Sequence, residues 1–568
     1  MVKASPSKYK FLFHMKILSR VRIRRETFSS KQVMSLWFHN HVLKSSGIAW
    51  AIVVLILLWD GNSFQAVAQQ IRVVPSLSVM EQYDTNVFFT PKSQLASGIK
   101  ADDFITTVTP QLNFLQSSSL IKTNLSVGAL IQKFAHNSEL DNVGFIASAG
   151  IDLAQAVNRV LPRMRAFRIF GTYQYMPSAP AFGGGSLGGG FGGFGGGFGG
   201  FGMGGVGISG PADSGLLSQR IRTSIFNVGF ADSYSLSPTT DFQTTYTYSQ
   251  LSFGGAYAPQ AVTSGQTVGT VFDTATHTIS AGPVSKISAV DTLNVRYTFT
   301  QMSQPQFGDY TTHSGTLGWG RMWTKEWSSF LNGGLTLIEP IPDISAAGGN
   351  RRIPATMFPT GGFGVVYASG SSFLRKLGSE IQEATGGGAA PLPSSGSFLP
   401  MLPGMNMPGG IASPGSYRLM LAYNLGVYPS FVQSAGPIYT HMISLGGMAG
   451  ITDRLTGQAL FNFAHSSYTS DAIATTFSTY GTTVALSYLI TPTFAARLSH
   501  QWLMFDNQVN TTSSGDLGFA KQVVLLGFTY AYSPRGDFFR AGAFWGSPSV
   551  GATTDSGKPG AGGIDLKK

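Results

Sequence analysis

Ser499 and His500 are adjacent, and serine with histidine is the pairing from which acyl-transfer nucleophiles are built. They sit in a segment of strand-like alternation, where neighbouring residues point to opposite faces, so they cannot form a nucleophile–base pair by themselves. Asp84, Asn86, Asp102 and Asp103 offer oxygen ligands of the kind a hard cation takes. Their spacing does not match a calcium-binding loop, and turn chemistry is the favoured role for Asp and Asn here. Phe182–Gly205 is almost only Gly and Phe and contains Gly-x-Gly patterns, but no Lys-Ser/Thr follows, so a phosphate cradle is unsupported. It reads instead as a low-complexity surface loop whose Phe spacing suits self-association or contact with a matrix. The nine His residues include no His-x-x-x-His pair and the chain has no Cys, which removes the usual basis for zinc, thiolate or disulfide chemistry. The expectation is a protein without catalytic, cofactor-binding or metal-ligating residues.

What remains are polar side chains spaced along alternating segments. In Thr292–Thr300 every odd position is apolar or aromatic and every even one polar, placing Asn294 and Arg296 on the polar face. In Thr493–Met504 one face holds Phe494, Ala496, Leu498, Trp502 and Met504, and the other Arg497, Ser499 and Gln501. Asn294, Arg296, Arg497 and Gln501 are therefore the candidate lining of a polar interior. Arg220 and Arg222 share a face near a strand's start, suited either to that lining or to a rim against lipid headgroups.

Such side chains need strands with two different solvents. The alternating segments run about 10–14 residues, longer than ordinary globular strands and long enough to cross a bilayer at a tilt. Five pairs of them flank short turns at Leu236–Thr240, Ile287–Asp291, Trp323–Glu326, Ile451–Arg454 and Ile490–Thr493, each entered from an apolar or aromatic residue. Longer, irregular loops separate the pairs. Short turns at one end and long loops at the other predict an all-β, transmembrane, antiparallel up-and-down β-barrel of about 16–18 strands over residues 69–533. Two segments interrupt it: the Gly/Phe-rich loop 178–218, and a connector, 370–415, with a helix-like stretch at Ser372–Ala384. A Gly-rich tail, 534–568, follows.

Composition agrees. Only 11% of the 568 residues are charged, under half the share of a soluble protein. The net charge of +11 is concentrated: ten Lys/Arg against Glu26 and Asp60 place +8 in residues 1–68, leaving +3 for the other 500. No basic face for nucleic acid remains. Ile48–Trp59 is an apolar run of 12 residues, too short for a spanning helix, preceded by basic residues and followed by Ala66-Val67-Ala68. This predicts a signal peptide cleaved before Gln69, with Met34 as an alternative start that gives a leader of ordinary length.

The stretches Val74–Phe88 and Asp103–Leu112 resemble the opening of the type 2 β-barrel porin family, which includes outer-membrane proteins associated with exopolysaccharide loci. The resemblance implies an integral protein of a Gram-negative outer membrane, with no catalytic residues to carry over. Its implied partners are outer-membrane lipid, barrel-insertion machinery, and polysaccharide or small solutes, and it sets no oligomeric state. The expected function is a pore or conduit for solutes or exported exopolysaccharide. The alternative is a structural or adhesive surface barrel with a plugged lumen; an outer-membrane hydrolase ranks behind both. Tyr532 is the candidate terminal aromatic of the last strand.

Overall fold

A computed structural model describes residues 70–532, apart from 181–219, 257–272, 370–414 and shorter stretches within other loops. The expected leader 1–68, nearly all of 178–218 and 370–415 (Ser372–Ala384 included), and the tail 534–568 lie outside the described residues.

Twenty strands follow in chain order. The first eleven are β1 (Gln70–Asp84), β2 (Asp103–Ser117), β3 (Lys122–Phe134), β4 (Asn142–Asp152), β5 (Met164–Pro180), β6 (Arg220–Ser237), β7 (Thr240–Ala256), β8 (Thr274–Lys286), β9 (Asp291–Gln304), β10 (Gly308–Met322) and β11 (Trp327–Ile338). Two-residue strands β12 (Ile341–Pro342) and β13 (Arg352–Ile353) pair with each other inside a loop. Then come β14 (Thr356–Ser369), β15 (Tyr417–Tyr428), β16 (Ile438–Gly450), β17 (Leu455–Tyr468), β18 (Thr475–Thr491), β19 (Phe494–Val509) and β20 (Phe519–Ala531). The other eighteen form one antiparallel sheet in which each strand pairs with the next in the chain. β1 also pairs with β20 from Ser76↔Ala531 to Asp84↔Val523, which closes the barrel. The predicted class and strand number are both observed.

All five predicted short turns fall at the end that carries Gln70 and Ala531, opposite the long loops. β14 and β15 are adjacent, so the connector 370–415 bridges neighbouring strands at that same end. A 14-residue strand such as β9 rises about 3.3 Å per residue and, tilted ~40°, spans roughly 35 Å, enough for a bilayer. No helix among the described residues is long and apolar enough to cross one.

The wall inverts the polarity of a soluble protein. Val295, Tyr297, Leu317, Leu331, Leu419 and Leu445 are exposed outside. Asn294, Thr300, Ser314, Thr336, Asn424 and Ser444 are buried within. Because side chains alternate with period two, one residue of slip would exchange these sets, and the register is pinned by that cost. Three prolines mark where the ladder gives way, since proline has no N–H to donate. The β2–β3 pairing skips Pro110, the β8–β9 pairing skips Gly282-Pro283, and the β14–β15 pairing stops short of Pro359.

Candidate lumen and its polar lining

Arg296 is buried on the inner wall, and its Nη2 donates to Gln243 Oε1 at 3.2 Å, two strands away on β7. Between them β8 presents Gly282, where a Cβ would collide with the Val295 carbonyl and the Arg296 Cα. Glycine there lets β8 approach β9 closely and leaves no side chain in the path from Arg296 to Gln243. Asn294, two residues earlier on the same face, lies over another glycine: its carboxamide oxygen occupies the space a Cβ on Gly318 would need. Gln501 is buried on the inner face of β19 with Ser499, and Arg497 shares their side by alternation. The four predicted lining residues therefore all point inward. They belong to two parts of the wall: Asn294 and Arg296 on β9, Arg497 and Gln501 on β19.

Reading the sequence missed other charged residues on the inner face. Arg418 is buried on the inner face at the start of β15. The alternation of Tyr417, Leu419 and Leu421 outward was the signal that could have placed it. Asp84 and Lys521 form a buried ion pair of 2.7 Å across the β1–β20 seam, each side chain 2% exposed. Asp84 Oδ2 receives Lys521 Nζ and Gln82 Nε2, and Oδ1 receives the Asn86 backbone N–H. Asp103 accepts the backbone N–H groups of His136 and Asn137. No metal-holding group of His, Cys, Asp and Glu occurs among the described residues. Arg222 stands exposed on the opposite face from inward Thr223 and Asn227, which assigns it to the rim rather than the lining. Ser499 is buried inside and His500 exposed outside, so the wall separates them.

The outer face carries an aromatic girdle at the short-turn end. Near the short turns, Trp323 and Trp327 are exposed, Arg321 lies 4.6 Å from the Trp323 ring, and Tyr367 stacks between Trp327 and Tyr417. Nearer the middle of the strands, the Tyr246, Tyr297 and Tyr423 hydroxyls meet His277, His313 and His441 at 2.8–3.0 Å. Amphipathic rings bordering a band of exposed apolar side chains are what a bilayer interface selects. The chain is an integral outer-membrane β-barrel.

No protein-family model matches this sequence, and no curated protein matches it either. Among solved structures the chain is similar to the outer membrane protein OpdK of Pseudomonas aeruginosa, with 11% identity and a TM-score of 0.35 over 81% of this chain and 99% of that one. It is similar also to OprD of Pseudomonas aeruginosa, at 10% identity and a TM-score of 0.34 over 81% and 94% of the two chains. The outer membrane channel DcaP of Acinetobacter baumannii gives 8% identity and a TM-score of 0.33 over 82% and 97%.

Proposed function

We propose that this barrel is a passive conduit for polar solutes across the outer membrane. The observation that carries the reading is the polar inner face of a closed 18-strand wall. A barrel of this size is wide enough for an aqueous lumen, and several inward polar atoms have no hydrogen-bond partner within the protein. Thr109 Oγ1, Asn227 Oδ1, Asn294 Oδ1, Thr312 Oγ1 and Thr360 Oγ1 are of this kind. Buried polar atoms seldom go unsatisfied, so these are positions for water or solute. Arg296, Arg418 and Arg497 bias the lining toward anions and toward sugar hydroxyls or acidic sugar groups. Exported exopolysaccharide is the finer proposal, and it rests on the motif likeness alone. The barrel holds no energy source, so direction would come from partners. Insertion by barrel-assembly machinery, with Tyr532 as the terminal aromatic, belongs with these proposals, as does cleavage before Gln69.

One observation favours a second reading, a structural or adhesive barrel with a closed lumen. Inner-wall residues such as Thr336 (0% exposed) and Thr312 (1%) are as inaccessible as a soluble core, whereas the lining of an open channel is reached by water. Conductance of the purified barrel in planar bilayers decides between the two. Stable single-channel steps support the conduit, and an intact barrel that never conducts supports the closed reading.

A further inference from the structure

The β14–β15 ladder runs from Ser369↔Tyr417 to Gly361↔Leu425 and stops there. Both strands continue. β14 is held by β11 as far as Thr356↔Ile338, and β15 by β16 as far as Tyr428↔Ile438. In the continued register Val427 would face Pro359, which has no N–H to offer it.

Beyond the break, two faces that belong on opposite sides of the wall meet. On β15 and β16 the outward side carries Leu421, Tyr423, His441 and Ile443, and the same alternation puts Val427 and Tyr439 outward. On β9, β11 and β14 the inward side carries Thr300, Thr336 and Thr360, and alternation puts Met302, Ile338 and Phe358 inward. Yet Val427 is fully buried in a cluster with Met302 and Ile338, against which Phe358 and Tyr439 pack. The Tyr439 ring lies 5.5 Å from that of Phe358, and its hydroxyl donates to the Pro359 carbonyl at 3.4 Å. An outward face can cover an inward one only where the β15–β16 tip has passed to the inner side of the β9–β14 wall.

We infer that this tip, Gly426–Tyr428 with Ile438–Thr440, is an in-folded flap that narrows the lumen at the long-loop end and sets the size of solute admitted. The inference deepens the conduit reading and rests on it. Pro359 and Gly426 stand at the break, where the tip parts from β14. Among the described residues, what then holds it against β9–β14 is apolar contact and one long hydrogen bond rather than a row of backbone pairs, while its β16 side stays laddered to β17 from Ile438↔Tyr468. Segments held in this way open at lower free energy than laddered strands. Swinging outward would bring Thr360 opposite Gly426 and Pro359 opposite Val427, widening the mouth.

The absence of cysteine makes the test clean. The chain carrying Met302→Cys and Val427→Cys is treated, folded in vesicles, with a short bis-methanethiosulfonate reagent. Conductance is then recorded in planar bilayers before and after dithiothreitol, with unboiled gel mobility reporting that the barrel is intact. The expected result is an efficient crosslink and a severalfold rise in conductance on reduction. Tyr439→Phe, which keeps the ring and removes the hydroxyl, should admit larger polyethylene glycols without loss of the folded band. Failure of the intact barrel to crosslink overturns the in-folded geometry. A crosslinked barrel with unchanged conductance after reduction overturns the flap as the constriction. Efficient crosslinking in a barrel that conducts in no state overturns the conduit reading, and the flap's role with it, while the overlap of the wall stands.

Discussion

Leu445→Arg should be among the most destabilising single changes on the outside of this barrel, although Leu445 is 52% exposed. Ile451, 53% exposed, provides the control. To water the two side chains are alike, and on a soluble protein an exposed Leu or Ile exchanged for Arg usually costs within ±0.5 kcal/mol. Their depth separates them. Leu445 is the eighth residue of the 13-residue β16, and its neighbours in register, Leu421 and Phe461, also face outward. At ~3.3 Å per residue and a tilt near 40°, it lies about 3 Å from the strand's midpoint and Ile451 about 15 Å further toward the short turns. An apolar band ~25 Å tall extends about 12 Å either side of its centre, so Leu445 lies in hydrocarbon and Ile451 beyond it. Arg at the midplane costs about 2–4 kcal/mol, and near the interface about 0–1. Urea titration of barrels reconstituted in phosphatidylcholine vesicles, followed by tryptophan fluorescence and heat-modifiable gel mobility, reads the difference directly. Equal stabilities for the two variants would refute the placement of the bilayer around this wall.

Arg296→Gln with Arg497→Gln should move the reversal potential in a salt gradient toward cations. The shift should fade in 1 M salt, where charges are screened within about 3 Å, and a conducting barrel indifferent to both changes would remove these arginines from the lining. Gly282→Val should destabilise by about 2 kcal/mol or more, because the new side chain meets the β9 backbone rather than a movable side chain, and chemical denaturation reports it. Asp84→Ala should cost about 3 kcal/mol or more by removing the carboxylate from a buried Lys521. The double change Asp84→Leu with Lys521→Met should recover most of that loss in the same denaturation assay; no recovery would mean the pair is not the source of the cost.

Almost all of the wall was legible because the bilayer enforces a rule that a single sequence displays. Val295 and Tyr297 against Asn294 and Arg296 is a local pattern, and each short turn lies between two such runs. What escaped were relations across the chain. The ion pair of Asp84 is one of these, because Lys521 arrives from 437 residues away, with nothing in either neighbourhood to announce it. The inward turn of Val427 and Tyr439 escaped for another reason. Alternation along β15 and β16 places both outward, but a face is inside or outside only while the strand stays in its ladder, and Pro359 on a different strand ends that ladder. Arg222 has the alternation of a lining residue's neighbour and the chemistry of a lining residue. Only the closed barrel shows that chemistry to be spent on the rim.

The seam between β1 and β20 sets the order in which this molecule can come into being. The hydroxyls of Ser78 and Thr529 meet at 3.0 Å across 451 residues of chain. β1, among the first barrel segments to leave a ribosome, has a free edge until the last strand is delivered. Hairpins can form as they emerge, but their cooperative closure waits on thirteen residues near the far end. An unpaired edge of this length is an invitation to the wrong partner. The chain must therefore travel to its membrane shielded and unclosed, and a truncation that removes Phe519–Ala531 should leave an open sheet rather than a slightly smaller barrel.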